Sequence, residues 1–122
     1  VQFVEENLMA YIPEGWVVFK IRDVYKVFGS WGGGYLDGDS WRINSGIESI
    51  EEEVDALVFK GYSGSEYFCL KGSYGRISGY NLSVLNNFIE RCKNQGYDMF
   101  VYGSVSDFMQ DWNESLEGGG ND

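Results

Sequence analysis

The sequence predicts a mixed α+β domain, a twisted antiparallel sheet of about five or six strands carrying two helices in the C-terminal half. Three observations point there. From Trp16 to Lys71 the chain is a series of short apolar runs separated by Gly, Ser and Asp, the pattern of strands and turns. Two later segments, 82–95 and 104–117, instead space their apolar residues at helical intervals. Apolar residues make up 43% of the 122, enough for one core, and the length suits one domain. We read residues 1–117 as that domain and 118–122 (GGGND) as a flexible polar tail.

The elements follow in order. Residues 3–12 read as a short helix that stops before Pro13, because the residue preceding a proline avoids helical angles. Trp16–Ile21 reads as a strand with Val17, Phe19 and Ile21 on one face. Val24–Phe28 pairs with it across a short turn at Arg22-Asp23. A glycine-rich connection runs to Trp41. Trp41–Ile47 alternates as a third strand, and Ile47–Glu53 continues it past a bulge at Gly46. Val54–Tyr62 and Glu66–Lys71 flank Ser63-Gly64-Ser65 as a hairpin.

Leu82–Gln95 is a helix with Leu82, Leu85, Phe88, Ile89 and Cys92 on one side, Asn81 as its cap and Gly96 at its end. Met99–Tyr102 is a further strand. Ser104 opens the last helix through a capping pattern with Asp107. Its apolar side carries Val105, Phe108, Met109, Trp112 and Leu116; its polar side carries Asp107, Asp111, Glu114 and Glu117.

Composition limits the function. Nineteen acids against nine bases give a net charge of −10, which disfavours a direct nucleic-acid binder and an anionic membrane surface. A basic partner is the natural counterpart. The sequence contains neither a spanning apolar run nor a signal-type N-terminus, so the expected location is cytoplasmic. Cys69 and Cys92 read as free thiols, one on a strand and one on a helix.

With no histidine, a Ser-His-Asp triad is impossible, and two separated cysteines make a poor zinc site. Asp37-Gly38-Asp39-Ser40 lacks the later ligands of a calcium loop and reads as a tight turn. No Gly-Lys-Ser/Thr closes the glycine-rich stretch into a phosphate loop. The expectation is a binding protein with no metal, no cofactor and no catalytic residue.

Two constellations remain. Acids cluster at Glu48, Glu51, Glu52, Glu53 and Asp55, and again from Asp98 onward, with no base in either stretch. Carboxylates so arranged can occupy sites meant for phosphates on a basic partner, or they can simply solvate an outer face. The candidate contacts are Glu51, Glu52, Glu53, Asp107, Asp111, Glu114 and Glu117. The second constellation is Trp31, Tyr35 and Trp41 in the glycine-rich connection. Such rings can anchor an interface or stack on a ligand, or they can fold into the edge of the core.

The stretch Tyr25–Trp41 (YKVFGSWGGGYLDGDSW), with Gly61–Tyr67 (GYSGSEY), resembles small acidic accessory proteins of tailed bacteriophages. The resemblance covers residues 16–80 and leaves out the acidic helix. It implies no catalytic residue; it implies an anti-defence inhibitor. The expected function is then occlusion of a basic host protein, a restriction nuclease, CRISPR effector or other nucleic-acid-handling protein. Two alternatives stand beside it. One is a small-molecule or nucleotide-binding module that sequesters an immune signal, with the glycine-rich aromatic loop as its site and basic residues such as Arg42 neutralising phosphates. The other is a virion structural protein.

Overall fold

The computed structural model describes residues 10–33 and 38–120. Strands β2 (Gly15–Ile21) and β3 (Val24–Trp31) form an antiparallel hairpin whose register ends at Ile21↔Val24. That leaves Arg22-Asp23 as a two-residue turn, with φ of 51° and 68°. Positive φ at both central positions is the turn geometry that matches strand twist. β3 runs on through Gly29 and Ser30 to Trp31, past the expected end at Phe28, because β4 (Ser40–Ile43) pairs with it from Phe28↔Ile43 to Trp31↔Ser40. The three-residue β8 (Met99–Val101) joins the other side of β2.

A second sheet is built around the hairpin of β6 (Ala56–Gly61) and β7 (Glu66–Leu70). Its loop closes through Gly61 N–H donating to Ser65 O at 2.8 Å. β5 (Ile47–Glu52) lies antiparallel on β6, and β1 (Ala10–Tyr11) lies parallel on β7.

The fold is therefore mixed α+β, but it has two four-stranded sheets, β4-β3-β2-β8 and β1-β7-β6-β5, where the sequence suggested one. The division falls at 44–46. Asn44 closes the first sheet by donating its N–H to Val27 O (3.1 Å) and accepting the Val27 N–H on Oδ1 (2.9 Å). Gly46, at φ 136°, then turns the chain into β5. A Cβ there would sit 2.8 Å from the Tyr62 ring. Gly46 is thus a corner between sheets and not a bulge within one strand. The expected helix over 3–12 falls mostly on residues 1–9, outside the described residues. Its described end, Ala10–Tyr11, is extended in β1, where it pairs with Glu66 and Tyr67 of β7.

The start of β2, at the centre of the first sheet, is buried on both faces, which explains the unbroken apolar run WVVF. Trp16, Val18, Tyr25 and Val27 pack against Leu57, Phe59, Tyr67 and Cys69 of the second sheet and against Tyr102 and Phe108. Val17, Phe19 and Phe28 face the opposite way, onto Leu85, with Val84 and Ile89 alongside. Those last three residues belong to α1 (Gly79–Asn94); Phe108 belongs to α2 (Val105–Gly120).

The cap of α1 is Ser78, whose Oγ accepts the Asn81 N–H at 3.3 Å; Asn81 itself is fully buried. Its C-terminus closes at Gly96 (φ 86°), with Tyr97 N–H to Cys92 O at 2.8 Å and Gly96 N–H to Lys93 O at 3.1 Å. Ser104 Oγ accepts the Asp107 N–H at 3.1 Å and caps α2. Leu82 (44% exposed) and Leu116 (59%) lie outside the stripes they were assigned to. The helical backbone of α2 reaches Gly120, beyond the expected domain end at 117. Cys69 on β7 is buried, Cys92 on α1 is half-buried, and both are free thiols. Among the described residues no helix is long and apolar enough to cross a membrane.

The core tyrosines set an alkaline limit. Burial pushes the phenols of Tyr67 and Tyr74 from 10.0 up to about 12. A raised folded-state pKa gives stability that is present below the unfolded value and lost as pH climbs through the folded one. The melting temperature should therefore fall between pH 10 and about 12. Tyrosinate absorbance should show some phenols ionising only as the near-ultraviolet circular dichroism collapses. Complete, simultaneous ionisation near pH 10 in the still-folded protein would contradict this.

Candidate functional site

The first acidic segment follows the free edge of the second sheet. Glu48, Glu51 and Glu52 are exposed along β5, and Glu53 and Asp55 are exposed in the turn to β6. Carboxylates along an unpaired strand edge repel a second copy of the same edge. Glu52 receives the Lys71 ammonium at 2.9 Å, the one ion pair among the described residues.

On α2, Asp107, Glu114 and Glu117 are exposed, as the helical spacing requires. Asp111 departs from that expectation. It is half-buried, and its Oδ2 accepts the Tyr102 hydroxyl and, at 3.4 Å, the Tyr25 hydroxyl. Burial, and then the bond to Asp111, hold the Tyr102 phenol protonated well above the ordinary tyrosine value. Asp111 therefore anchors α2 to the first sheet and is removed from the candidate contacts.

The end of the first acidic segment, Glu52, shares a groove with the start of α2. Between the end of β5 and the start of α2 lies an open groove of about 770 Å³. Tyr74, Val105 and Met109 supply its apolar floor, and Glu52, Lys71 and Gln110 line its sides. Two more carboxylates stand at the rim. Asp107 lies beside Gly103, another lining residue, and Glu114 accepts the Gln110 amide at 3.2 Å. Tyr74 is fixed by donating its hydroxyl to Tyr102 O (2.7 Å) and accepting the Val18 N–H (3.1 Å). Such a surface offers hydrogen-bond acceptors around a hydrophobic floor, which suits a long cationic side chain with an apolar stem.

The aromatic constellation is dispersed. Trp31 pairs with Ser40 and Trp41 with Ser30, so the two indoles point to opposite faces of the first sheet. Trp41 stacks on Phe28 at 5.9 Å and meets Phe88 of α1 edge-on at 5.3 Å, keeping 38% of its surface exposed. Trp31 donates its indole N–H to Ile12 O at 3.0 Å and approaches Tyr11 at 6.3 Å. Tyr35 lies outside the described residues. Arg42, next to Trp41, places its guanidinium 4.5 Å from the centre of the Tyr11 ring.

Nothing in this arrangement forms a nucleophile with its base. Ser63 and Ser65 sit in the β6–β7 loop, where the Ser63 N–H donates to Ser45 Oγ at 2.9 Å. Lys71 is committed to Glu52. Among the described residues no three His, Cys, Asp or Glu side chains gather as a metal site. Comparison with known proteins adds no assignment: no family model, no curated protein and no solved structure matches the chain.

Sequence reasoning missed the floor of the groove. Tyr74 follows a turn with no periodicity to mark it, and Lys71 was read as the end of a strand. The usable signal was Val105 and Met109, apolar residues at the edge of the α2 stripe, close enough to solvent to line a surface.

Proposed function

We propose that this chain is a non-catalytic binding protein that seats a basic protein surface in the groove between β5 and α2. The observation that carries the reading is a groove with an apolar floor lined by Glu52 of the first acidic segment, with Asp107 and Glu114 of the second beside its lining residues Gly103 and Gln110. A uniformly solvated charge coat needs no such floor. The broader role proposed, supported by the resemblance to phage accessory proteins, is occlusion. A basic face of a host defence or nucleic-acid-handling protein, built to hold phosphates, is covered by carboxylates.

The test is affinity capture from a bacterial lysate, read by mass spectrometry, followed by kinetics with the captured partner. A Glu52→Lys, Asp107→Lys, Glu114→Lys variant should associate at least about tenfold more slowly at low salt. The difference should fade as ionic strength shortens the screening length to about 3 Å near 1 M. Its melting temperature should stay within a few degrees of the parent's, since exposed charges contribute little to the fold. Equal association rates at low salt would sink the electrostatic reading.

A further inference from the structure

A second cleft, independent of the acidic groove, lies at the free edge of β4. It encloses about 360 Å³ between Tyr11, Trp31, Ser40, Trp41 and Arg42, within the size range of small-ligand sites. Its cation is Arg42. Among the described residues no carboxylate pairs with Arg42, whose guanidinium is spread over the Tyr11 ring. The ring contact holds the guanidinium carbon in place, and no carboxylate occupies its N–H edges.

The walls are held in advance. The Trp31 indole is tied to Ile12 O at 3.0 Å. Below it, the buried Asn81 amide donates to Ser40 O at 2.8 Å and to Ser30 Oγ at 2.8 Å, clamping β4 and β3 to the start of α1. A pre-organised wall loses little freedom on binding. The site also stands apart from the β5 acids. β1, which carries Tyr11, and β5 are opposite edges of one sheet. Three strand spacings separate them by about 14 Å, beyond a screening length of about 8 Å at physiological salt. Asp39 precedes Ser40 in the chain, Glu66 lies opposite Ala10, and Glu14 accepts the Gly32 N–H at 2.9 Å. They favour a ligand of low charge over a polyanion.

We propose that this cleft binds a small anion of the nucleoside monophosphate class, a planar base joined to one phosphate. The ring lies against Trp31 and Tyr11, and the phosphate meets the Arg42 fork with the Ser40 hydroxyl as a further donor. Calorimetric titration of the full chain tests it with four separate probes: adenosine monophosphate, adenosine, inorganic phosphate, and a short single-stranded oligonucleotide. The monophosphate should bind saturably, at least roughly tenfold more tightly than adenosine or phosphate alone. Arg42→Gln should weaken it at least roughly tenfold, and Arg42→Lys should fail to restore it, since an ammonium lacks the fork. Arg42 is exposed, so both variants should keep the parent's melting temperature. No saturable binding at millimolar monophosphate overturns the proposal, as does binding indifferent to Arg42. Phosphate binding as tightly as the nucleotide removes the ring contact and overturns it too. An oligonucleotide that binds more tightly than the monophosphate would mark a nucleic-acid surface instead and overturn the proposal.

Discussion

Gly15→Ala is expected to remove a large share of the fold's stability. A Cβ at this position would stand 1.5 Å from the Arg76 carbonyl oxygen and 2.5 Å from its carbon, both rigid backbone atoms. The strand and the 75–77 segment cannot both stay in place. Moving either breaks the bond from Gly75 N–H to Trp16 O (2.8 Å) and disturbs Trp16, which is wholly buried and donates its indole N–H to Leu70 O at 2.7 Å. Lost packing and an unpaired buried donor together cost on the order of 4 kcal/mol or more. A domain of this size has only about 5–15 kcal/mol in total. Urea denaturation of Gly15→Ala beside Gly79→Ala would check it. Gly79 opens α1, and a Cβ there meets nothing within 4 Å, so that variant should be neutral or slightly stabilised. Equal midpoints for the two would refute the close approach at Gly15.

Phe108→Ala should cost about 3–5 kcal/mol, the usual range for emptying a buried phenylalanine site. Phe108 has no exposed surface and touches both sheets. Its ring lies 5.8 Å from Tyr25, 6.0 Å from Phe59 and 5.6 Å from Tyr102. It is the peg that docks α2. Removing it should lower the melting temperature by about 10–20 °C and release the wall that carries Val105, Met109 and Gln110 into the groove. Trp112→Ala should cost less, about 2 kcal/mol, because Trp112 is only half-buried, packed at 5.2 Å on Tyr25. A larger loss at Trp112 than at Phe108, by thermal or chemical denaturation, would reverse the assignment of the anchor.

The contrast between these residues shows what the sequence exposes. Local chemistry was legible. The cap at Ser104, the stop at Gly96 and the Arg22-Asp23 turn depend on a few neighbouring residues, and all three are present. Long-range pairing was not legible. Trp41–Glu53 reads as one interrupted strand because nothing nearby reveals that its halves pair with β3 and β6 in different sheets. Gly15 gave no sign of its role, since its close neighbour Arg76 is fixed only by the fold.

Asp111 is an intermediate case. It lies about 60° around the helix from Phe108, nearer the buried stripe than Asp107, Glu114 or Glu117. That angle could have marked it, but the tyrosines that claim it come from β3 and the residue after β8. Asn81 likewise was expected to cap α1, and is instead taken inside by Ser30 and Ser40 once Ser78 serves as the cap. As for the site, the two acidic segments were legible as charge. That Glu52 of the first shares a groove with the start of α2 was a property of the tertiary fold alone.

The central claim is that the groove, and not the acidic surface at large, receives cationic protein. Amide shift mapping on the isotopically labelled chain, titrated with a short Lys/Arg-rich peptide at physiological salt, tests it most directly. The account predicts saturable shifts confined to Glu52, Lys71, Tyr74, Gly103–Asp107, Gln110 and Glu114, with the exposed Glu48 and Glu117 barely moving. Shifts spread evenly over every exposed carboxylate, without saturation, would contradict it and reduce the acids to a solvating coat.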